Sequence, residues 1–320
     1  MTTLPPLDAR IPVWDSSDLA ARACPLCAAT AAAPLFVRPD GLTVRRCACA
    51  TYYISPAPSA RQLDAFYVHY DADHRRDPPG RPADLLRAYR RADPRADLRI
   101  RELATLRSLA GARVLDVGFG RARLLHDLMR LGATPCGVEL DPQAIEIARA
   151  LGIPQVRLGT IDAVSDTERF DVILISDLVE HPLEPLGLLA TATRLLAPGG
   201  HLLVWTPNGD SGRGDPAPIP FRVDLEHMQY FTPESCGRLA ERLGLALVHL
   251  ETLGFPDLVD IGRPRMRGRG PRALVKAALR RLPGFAQLNA MRRALVPGAT
   301  RNERDGDYIL FAILQKLVAD

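Results

Sequence analysis

From residue 113 to residue 206 the chain alternates short apolar runs with longer stretches in which apolar positions recur every three or four residues. Short apolar runs bounded by turn residues read as strands buried on both faces, and the longer stretches as amphipathic helices. The pattern predicts strands at 114–117, 135–140, 156–158, 170–176 and 201–206, with helices at 122–131, 142–150 and 186–196. Gly132, Gly152 and Pro198-Gly199-Gly200 stop the three helices. A helix over 233–243, capped by Thr232, leads into a strand at 245–253, and Tyr308 to Leu314 makes the seventh strand. Ahead of them, Leu98, Leu103, Leu106 and Leu109 place a helix over 95–109. Strands alternating with helices imply a layered α/β fold.

The first hundred residues are patterned differently. Residues 1–22 carry little periodicity and read as a loose leader, and 58–95 as a linker or helical lid with a proline-rich loop at 73–82. Between them, 23–57 holds Cys24-Pro-Leu-Cys27 and, after a 19-residue excursion, Cys47-Ala-Cys49, then the strand-like run Tyr52-Tyr53-Ile54. Two cysteine pairs can close a tetrahedral zinc site and fix a segment too small for its own core. Such a site is structural, because four protein ligands leave no open position. Cys136 and Cys236 stand apart.

Composition adds limits. With 47% hydrophobic residues and a mean hydropathy of -0.03, the chain is globular. No apolar run is long enough to cross a membrane, and the N-terminus lacks the basic start and apolar stretch of a signal peptide, so a cytoplasmic protein is expected. The net charge of +4 is regional. Eleven basic residues and no acid lie between Asp260 and Glu303, so removing them leaves the rest of the chain at -7. This stretch, an insertion at 263–304, suits a lid, recognition of a phosphorylated acceptor, or peripheral contact with anionic lipid. No nucleic-acid-binding motif accompanies it.

The candidate chemistry starts at Asp116-Val-Gly118-Phe-Gly120-Arg-Ala122, between a strand and a helix, where glycines let a ligand approach the backbone. A dinucleotide fingerprint would place its third glycine at Arg123, and an acid at Asp116 suits a cationic amino group better than a pyrophosphate. Residues 113–208 resemble the class I S-adenosylmethionine-dependent methyltransferases, with Ala122 in place of that family's last turn glycine. The resemblance implies a Rossmann-like seven-stranded sheet with helices on both faces, over 96–320, and S-adenosylmethionine as methyl donor. It also implies donor-site roles for Asp116, Gly118 and Gly120. Glu139, 23 residues after Asp116, would bind the ribose, Asp162 the adenine, and Asp177 would stand at the mouth of the site.

A narrower resemblance covers almost the whole chain. The cysteine pairs, Phe66-Tyr67, Thr206-Pro207-Asn208 and His227-Met-Gln-Tyr230-Phe-Thr232 are similar to zinc-ribbon methyltransferases of bacterial sugar, polysaccharide and natural-product pathways. In that family the second pair is CxxC, so Arg46 takes the usual ligand position and Cys47 is shifted. The resemblance implies zinc on Cys24, Cys27, Cys47 and Cys49. It also implies a small acceptor such as a sugar, nucleotide-sugar or secondary-metabolite intermediate. A noncatalytic scaffold and a nucleic-acid methyltransferase are the alternatives, the latter without the proline-rich base pocket after the fourth strand. Methyl transfer to a hydroxyl needs a base, and His181 and His227 are the candidates, with Tyr230 placing the acceptor. His227 is preferred because Pro182 follows His181 directly.

Overall fold

The computed structural model describes residues 1–7, 10–68, 81–211, 219–254 and 307–318. The N-terminal part contains strands β1 (Leu19–Ala20), β2 (Ala33–Val37), β3 (Thr43–Arg46), β4 (Tyr52–Ile54) and β5 (Ala57–Pro58). Helices α1 (Ala60–Val68), α2 (Pro82–Arg91) and α3 (Leu98–Leu106) follow. The alternating region runs β6 (Arg113–Val117), α4 (Arg123–Arg130), β7 (Thr134–Glu139), α5 (Pro142–Ala150), β8 (Val156–Leu158), β9 (Phe170–Ser176), α6 (Pro185–Leu195) and β10 (Leu196–Pro207). After it come β11 (Gln229–Tyr230), α7 (Pro233–Leu243), β12 (Leu245–Leu253) and β13 (Ile309–Lys316).

Seven strands form one sheet in the order β12-β13-β10-β9-β6-β7-β8, the expected Rossmann-like α/β architecture. Strands β10 to β8 pair in parallel, and β13 runs antiparallel to both β10 and β12. The apolar run of β9 explains why helices cover both faces, since successive side chains point to opposite sides. Ile173 and Ile175 pack with Leu189 of α6 and Leu239 of α7, whereas Val172 and Leu174 pack with Leu103 of α3 and Leu128 of α4.

Several element ends differ from the sequence expectation for local reasons. Helix α3 starts at Leu98 because the Asp97 side chain accepts from Arg99 N at 2.9 Å, and residues 94–96 form a separate 3-10 turn. Ala122 has φ 55°, so α4 begins one residue later. Strand β10 reaches back to Leu196 through an irregularity before His201. A Cβ at Gly200, inside that irregularity, would meet backbone oxygens of Ala197, Phe170 and Asp171 at 2.8, 3.1 and 3.3 Å. Gly200→Ala is expected to lower stability by about 1–3 kcal/mol in urea unfolding, because backbone cannot swing aside. Gly187→Ala, in α6 with nothing within 4 Å of its would-be Cβ, should be neutral or stabilising by up to about 1 kcal/mol.

The N-terminal segment is the larger difference. In the segment 1–22, expected as a loose leader, Leu4 is buried, Leu4 N donates to Val37 O at 2.8 Å, and β1 pairs with β5. Main-chain hydrogen bonds leave no side-chain periodicity, so the sequence pattern missed them. The cysteine segment forms a four-stranded sheet β11-β4-β3-β2, whose outer strand comes from the loop after β10. Cys24, Leu26, Cys49 and Tyr53 share one buried cluster with Phe231, Cys236 and Leu239. Each fully buried residue of this size contributes about 1.5–3 kcal/mol, so the segment is packed against the sheet rather than tethered to it. The basic insertion at 263–304 and most of the loop expected at 73–82 lie outside the described residues, and Pro82 begins α2. Among the described residues no helix is long and apolar enough to cross a membrane.

Candidate functional site

The turn between β6 and α4 carries three left-handed residues, Gly118, Gly120 and Ala122, at φ 75°, 52° and 55°. Glycine adopts these angles without the Cβ clash that costs other residues about 1–2 kcal/mol. Gly118 N donates to Val138 O at 2.9 Å, and Gly120 N donates to Glu139 Oε2 at 2.8 Å, which binds the turn to the end of β7. The other Glu139 oxygen accepts from Leu140 N at 2.7 Å. Asp116 is buried beneath the turn. Burial pushes its carboxyl up to about 7, with Arg99 opposing and Glu139 adding to the rise. A cation bound above it would restore the ionised form.

Asp162 is exposed on a 3-10 turn after β8, where Thr160 Oγ1 donates to it at 3.2 Å. Asp177 follows β9 with φ 50°, its N–H donating to Trp205 O at 2.8 Å. Asp116, Glu139, Asp162 and Asp177 thus lie in or just after four neighbouring parallel strands, on the carboxyl side where an open sheet binds its ligands. A Cβ on Gly118 would sit 3.4 Å from Leu178, so the segment after β9 borders the glycine turn directly.

That segment carries Glu180 and His181. His181 Nε2 lies 3.2 Å from the Asp177 backbone oxygen and Nδ1 lies 2.6 Å from Tyr67 Oη. A carbonyl only accepts, so in the neutral ring Nε2 carries the hydrogen and Nδ1 accepts from the Tyr67 hydroxyl. The His227 ring meets the His181 ring edge to face at 4.8 Å, and its Nε2 lies 4.0 Å from Glu180 Oε1. Glu180 is fully buried, accepts from Thr206 Oγ1 at 2.9 Å, and is pushed well above the usual carboxylate range by burial and by Asp177. Burial, with His227 adding, lowers His181 to about 3, and burial with the Arg38 charge does the same for His227. Both rings are therefore neutral at ordinary pH, and the one ring lone pair of His181, on Nδ1, is engaged by the Tyr67 hydroxyl. Ligand atoms of Glu180, His181 and His227 also lie within 4.8 Å of one another.

The two loops are joined. Gln229 Nε2 donates to Val179 O and Pro182 O at 2.8 and 2.7 Å, and Met228 N donates to Glu180 O at 2.8 Å. His181 is half-buried, whereas His227 is 6% exposed and stands behind it. Tyr230 is fully buried, contacts Phe221 at 4.4 Å between ring centres, and accepts from Arg38 at 3.2 Å. Its ring also meets the His227 ring at 5.8 Å. Tyr67 and Arg38 were missed from the sequence. The Phe66-Tyr67 run was the one trace of Tyr67, and nothing in sequence links Arg38 to a histidine 189 residues away.

The four clustered cysteines converge. Cys24 and Cys49 sulfurs lie 3.5 Å apart, Cys27 and Cys47 sulfurs 3.4 Å, and all four fall within 4.8 Å of one another. Zinc–sulfur bonds of about 2.3 Å in a tetrahedron need sulfurs about 3.8 Å apart, so the donor set fits that ion. Each pair sits on a turn ended by a left-handed alanine, Ala28 at φ 60° and Ala50 at φ 65°. Arg46, at the expected ligand position, instead stacks over Tyr52 at 5.5 Å, and the shorter Cys47-Ala-Cys49 turn supplies the fourth sulfur. Purified protein is expected to contain about one zinc per chain by elemental analysis. Cys24→Ser or Cys49→Ser should release it and raise hydrogen exchange in 23–57 while β6 to β10 stay protected. A metal-free protein with this segment protected would refute the site.

Residues 86–250 match the family described as a methyltransferase domain, 165 of the 320 residues. The Ubiquinone biosynthesis O-methyltransferase of Xanthomonas oryzae pv. oryzae is 36% identical over 107 residues, 31% of this chain and 45% of that protein. The protein of the same name from Thiobacillus denitrificans is 26% identical over 181 residues, 52% of this chain and 78% of that protein. The chain spans less than half the length of the first of these relatives. Among solved structures, the 1,6-didemethyltoxoflavin-N1-methyltransferase of Burkholderia thailandensis, with 1,6-didemethyltoxoflavin and S-adenosylhomocysteine bound, has a TM-score of 0.47 at 17% identity. That comparison covers 89% of this chain and 99% of that one.

Proposed function

Because the chain belongs to this methyltransferase family, we propose that it moves a methyl group from S-adenosylmethionine to a hydroxyl of a small acceptor. The observation that carries this reading is one crevice with two walls. The glycine turn, Asp116 and Glu139 form a donor wall with acids for an amine and a ribose. The loops bearing Glu180, His181 and His227 stand beside it.

The donor supplies an activated methyl on a sulfonium centre. Asp116 would hold its amino group, Glu139 would accept from its ribose hydroxyls, and Asp162 would meet the adenine. The remaining task is to set an acceptor oxygen in line and take its proton. His181 is the ring open to the crevice, so it is the proposed base, with His227 and Glu180 steadying the charge behind it. This choice reverses the preference drawn from the sequence, because the structure buries His227 more deeply.

The acceptor class we propose is a hydroxylated sugar, nucleotide-sugar or secondary-metabolite intermediate, handled in the cytoplasm, on the strength of the sequence resemblance. A phenolic ring is the second reading, favoured by the aromatic row in which Trp14 meets Phe66 at 5.5 Å, Phe66 meets Tyr67 at 5.3 Å and Tyr67 meets His181 at 5.7 Å. Calorimetry should show S-adenosylhomocysteine binding in the micromolar range, about -8 kcal/mol, with no binding of NAD. Labelled methyl transfer to sugar and catechol panels then separates the two acceptor readings. Binding of NAD in place of S-adenosylhomocysteine would sink the proposal.

A further inference from the structure

Arg38 lies on the turn between β2 and β3, within the cysteine segment, and its side chain has no solvent exposure. A guanidinium has five N–H donors in a fixed fork, and all five are engaged here. Nε and Nη2 donate to the two Asp40 oxygens at 3.1 and 2.5 Å. The second Nη2 hydrogen goes to Leu225 O at 2.5 Å, and Nη1 donates to His227 O at 2.6 Å and Tyr230 Oη at 3.2 Å. Three of the five bonds therefore leave the cysteine segment for the stretch after β10. We infer that Arg38 is a positioning residue for the acceptor wall, holding the 225–230 stretch so that the His227 ring stands between His181 and Tyr230. The inference rests on the proposed role of that wall.

Stability alone does not account for this arrangement. A buried ion pair can often be replaced by well-packed neutral groups with little loss, so burial of a charged pair is by itself weak evidence for a stabilising role. What the fork does supply is direction: it takes two main-chain carbonyls two residues apart and one phenol, all from a stretch nearly 190 residues away. With those carbonyls held, the His227 ring packs edge to face on His181 at 4.8 Å and on Tyr230 at 5.8 Å. Two further hydrogen bonds reinforce the seam, since Ile54 N donates to Met228 O at 2.9 Å and the Thr232 side-chain Oγ1 donates to Ala50 O at 3.2 Å. Lysine would keep the charge but offers three donors from a single point, which cannot reach all three targets.

The test uses the full chain as Arg38→Lys and as the double variant Arg38→Met with Asp40→Asn. The second removes both charges and keeps one amide oxygen, enough for either Trp14 Nε1 or Leu42 N, which bond Asp40 Oδ2 and Oδ1 at 2.9 and 3.3 Å. Side-chain nitrogen spectra of labelled histidines, recorded with S-adenosylhomocysteine, should show the His181 and His227 signals shifted or split in both variants. The signals of His126, His201 and His249 should stay in place. Affinity for S-adenosylhomocysteine should not change, and turnover of any acceptor the wild type methylates should fall about tenfold to a hundredfold in kcat. Wild-type His227 signals in either folded variant would overturn the inference, and so would full rescue by lysine. Absence of S-adenosylhomocysteine binding by the wild type would instead overturn the donor reading, and the histidine spectra would still decide what Arg38 does.

Discussion

Replacing His181 by alanine is expected to lower turnover about a hundredfold to ten-thousandfold, roughly 3–5 kcal/mol in barrier, with donor affinity unchanged. The expectation follows from access and from the hydrogen positions. His181 Nε2 donates to the Asp177 carbonyl and Nδ1 accepts from the Tyr67 hydroxyl at 2.6 Å, so the acceptor's proton would reach Nδ1 by way of Tyr67, which passes its own proton to the ring as it takes the new one. His227→Ala should cost less, because that ring lies behind His181 and acts on it through contact. Neither ring should impose an acidic limb near pH 6.5 on kcat/KM, since burial holds both at about 3. Steady-state kinetics with the methylated acceptor checks all three statements. A large loss at His227 beside a small one at His181 would restore the preference drawn from the sequence. Normal turnover in both variants would leave desolvation and positioning as the source of rate, as suits an amine that enters unprotonated.

Glu139→Ala should weaken S-adenosylhomocysteine binding by about 3–6 kcal/mol, on the order of a hundredfold to ten-thousandfold in Kd. Two charge-assisted hydrogen bonds to the ribose would be lost, at about 1.5–3 kcal/mol each. The same change removes the acceptor for Gly120 N, which bonds Glu139 at 2.8 Å, and so loosens the turn as well. Glu139→Gln separates the two effects, since its amide oxygen can still accept from Gly120 N while the charge and the second acceptor are gone. An intermediate affinity is therefore expected by calorimetry. Equal affinity of the wild type and both variants would remove this role from Glu139.

The parts of the proposed donor wall were legible in the sequence because they are local. Strands β6 to β9 show as apolar runs, the turn shows as Gly118 and Gly120, and Glu139 shows by its distance from Asp116 along a strand, a turn and a helix. Each of these is set by residues within about one helix–strand unit of one another, where hydrogen-bond geometry and apolar periodicity dominate. The cysteine pairs were legible for the same reason, and all four sulfurs, that of the shifted Cys47 included, converge in the structure.

The arrangement of the proposed acceptor wall was decided by tertiary structure. Nothing near residue 230 in sequence marks Gln229 and Tyr230 as the outer strand of a sheet begun near residue 33, because a two-residue strand has no periodicity to read. The burial of Tyr230 and of His227 follows from that pairing and from Arg38, whose targets lie 187 to 192 residues away. Tyr67 meets His181 across 114 residues in the same way. The sequence by itself determined the α/β layers, the glycine turn, the spaced acid and the cysteine pairs, all of them short-range features. Which of the two histidines is the more deeply buried was decided only when distant segments packed together, since burial is a property of the faces that meet.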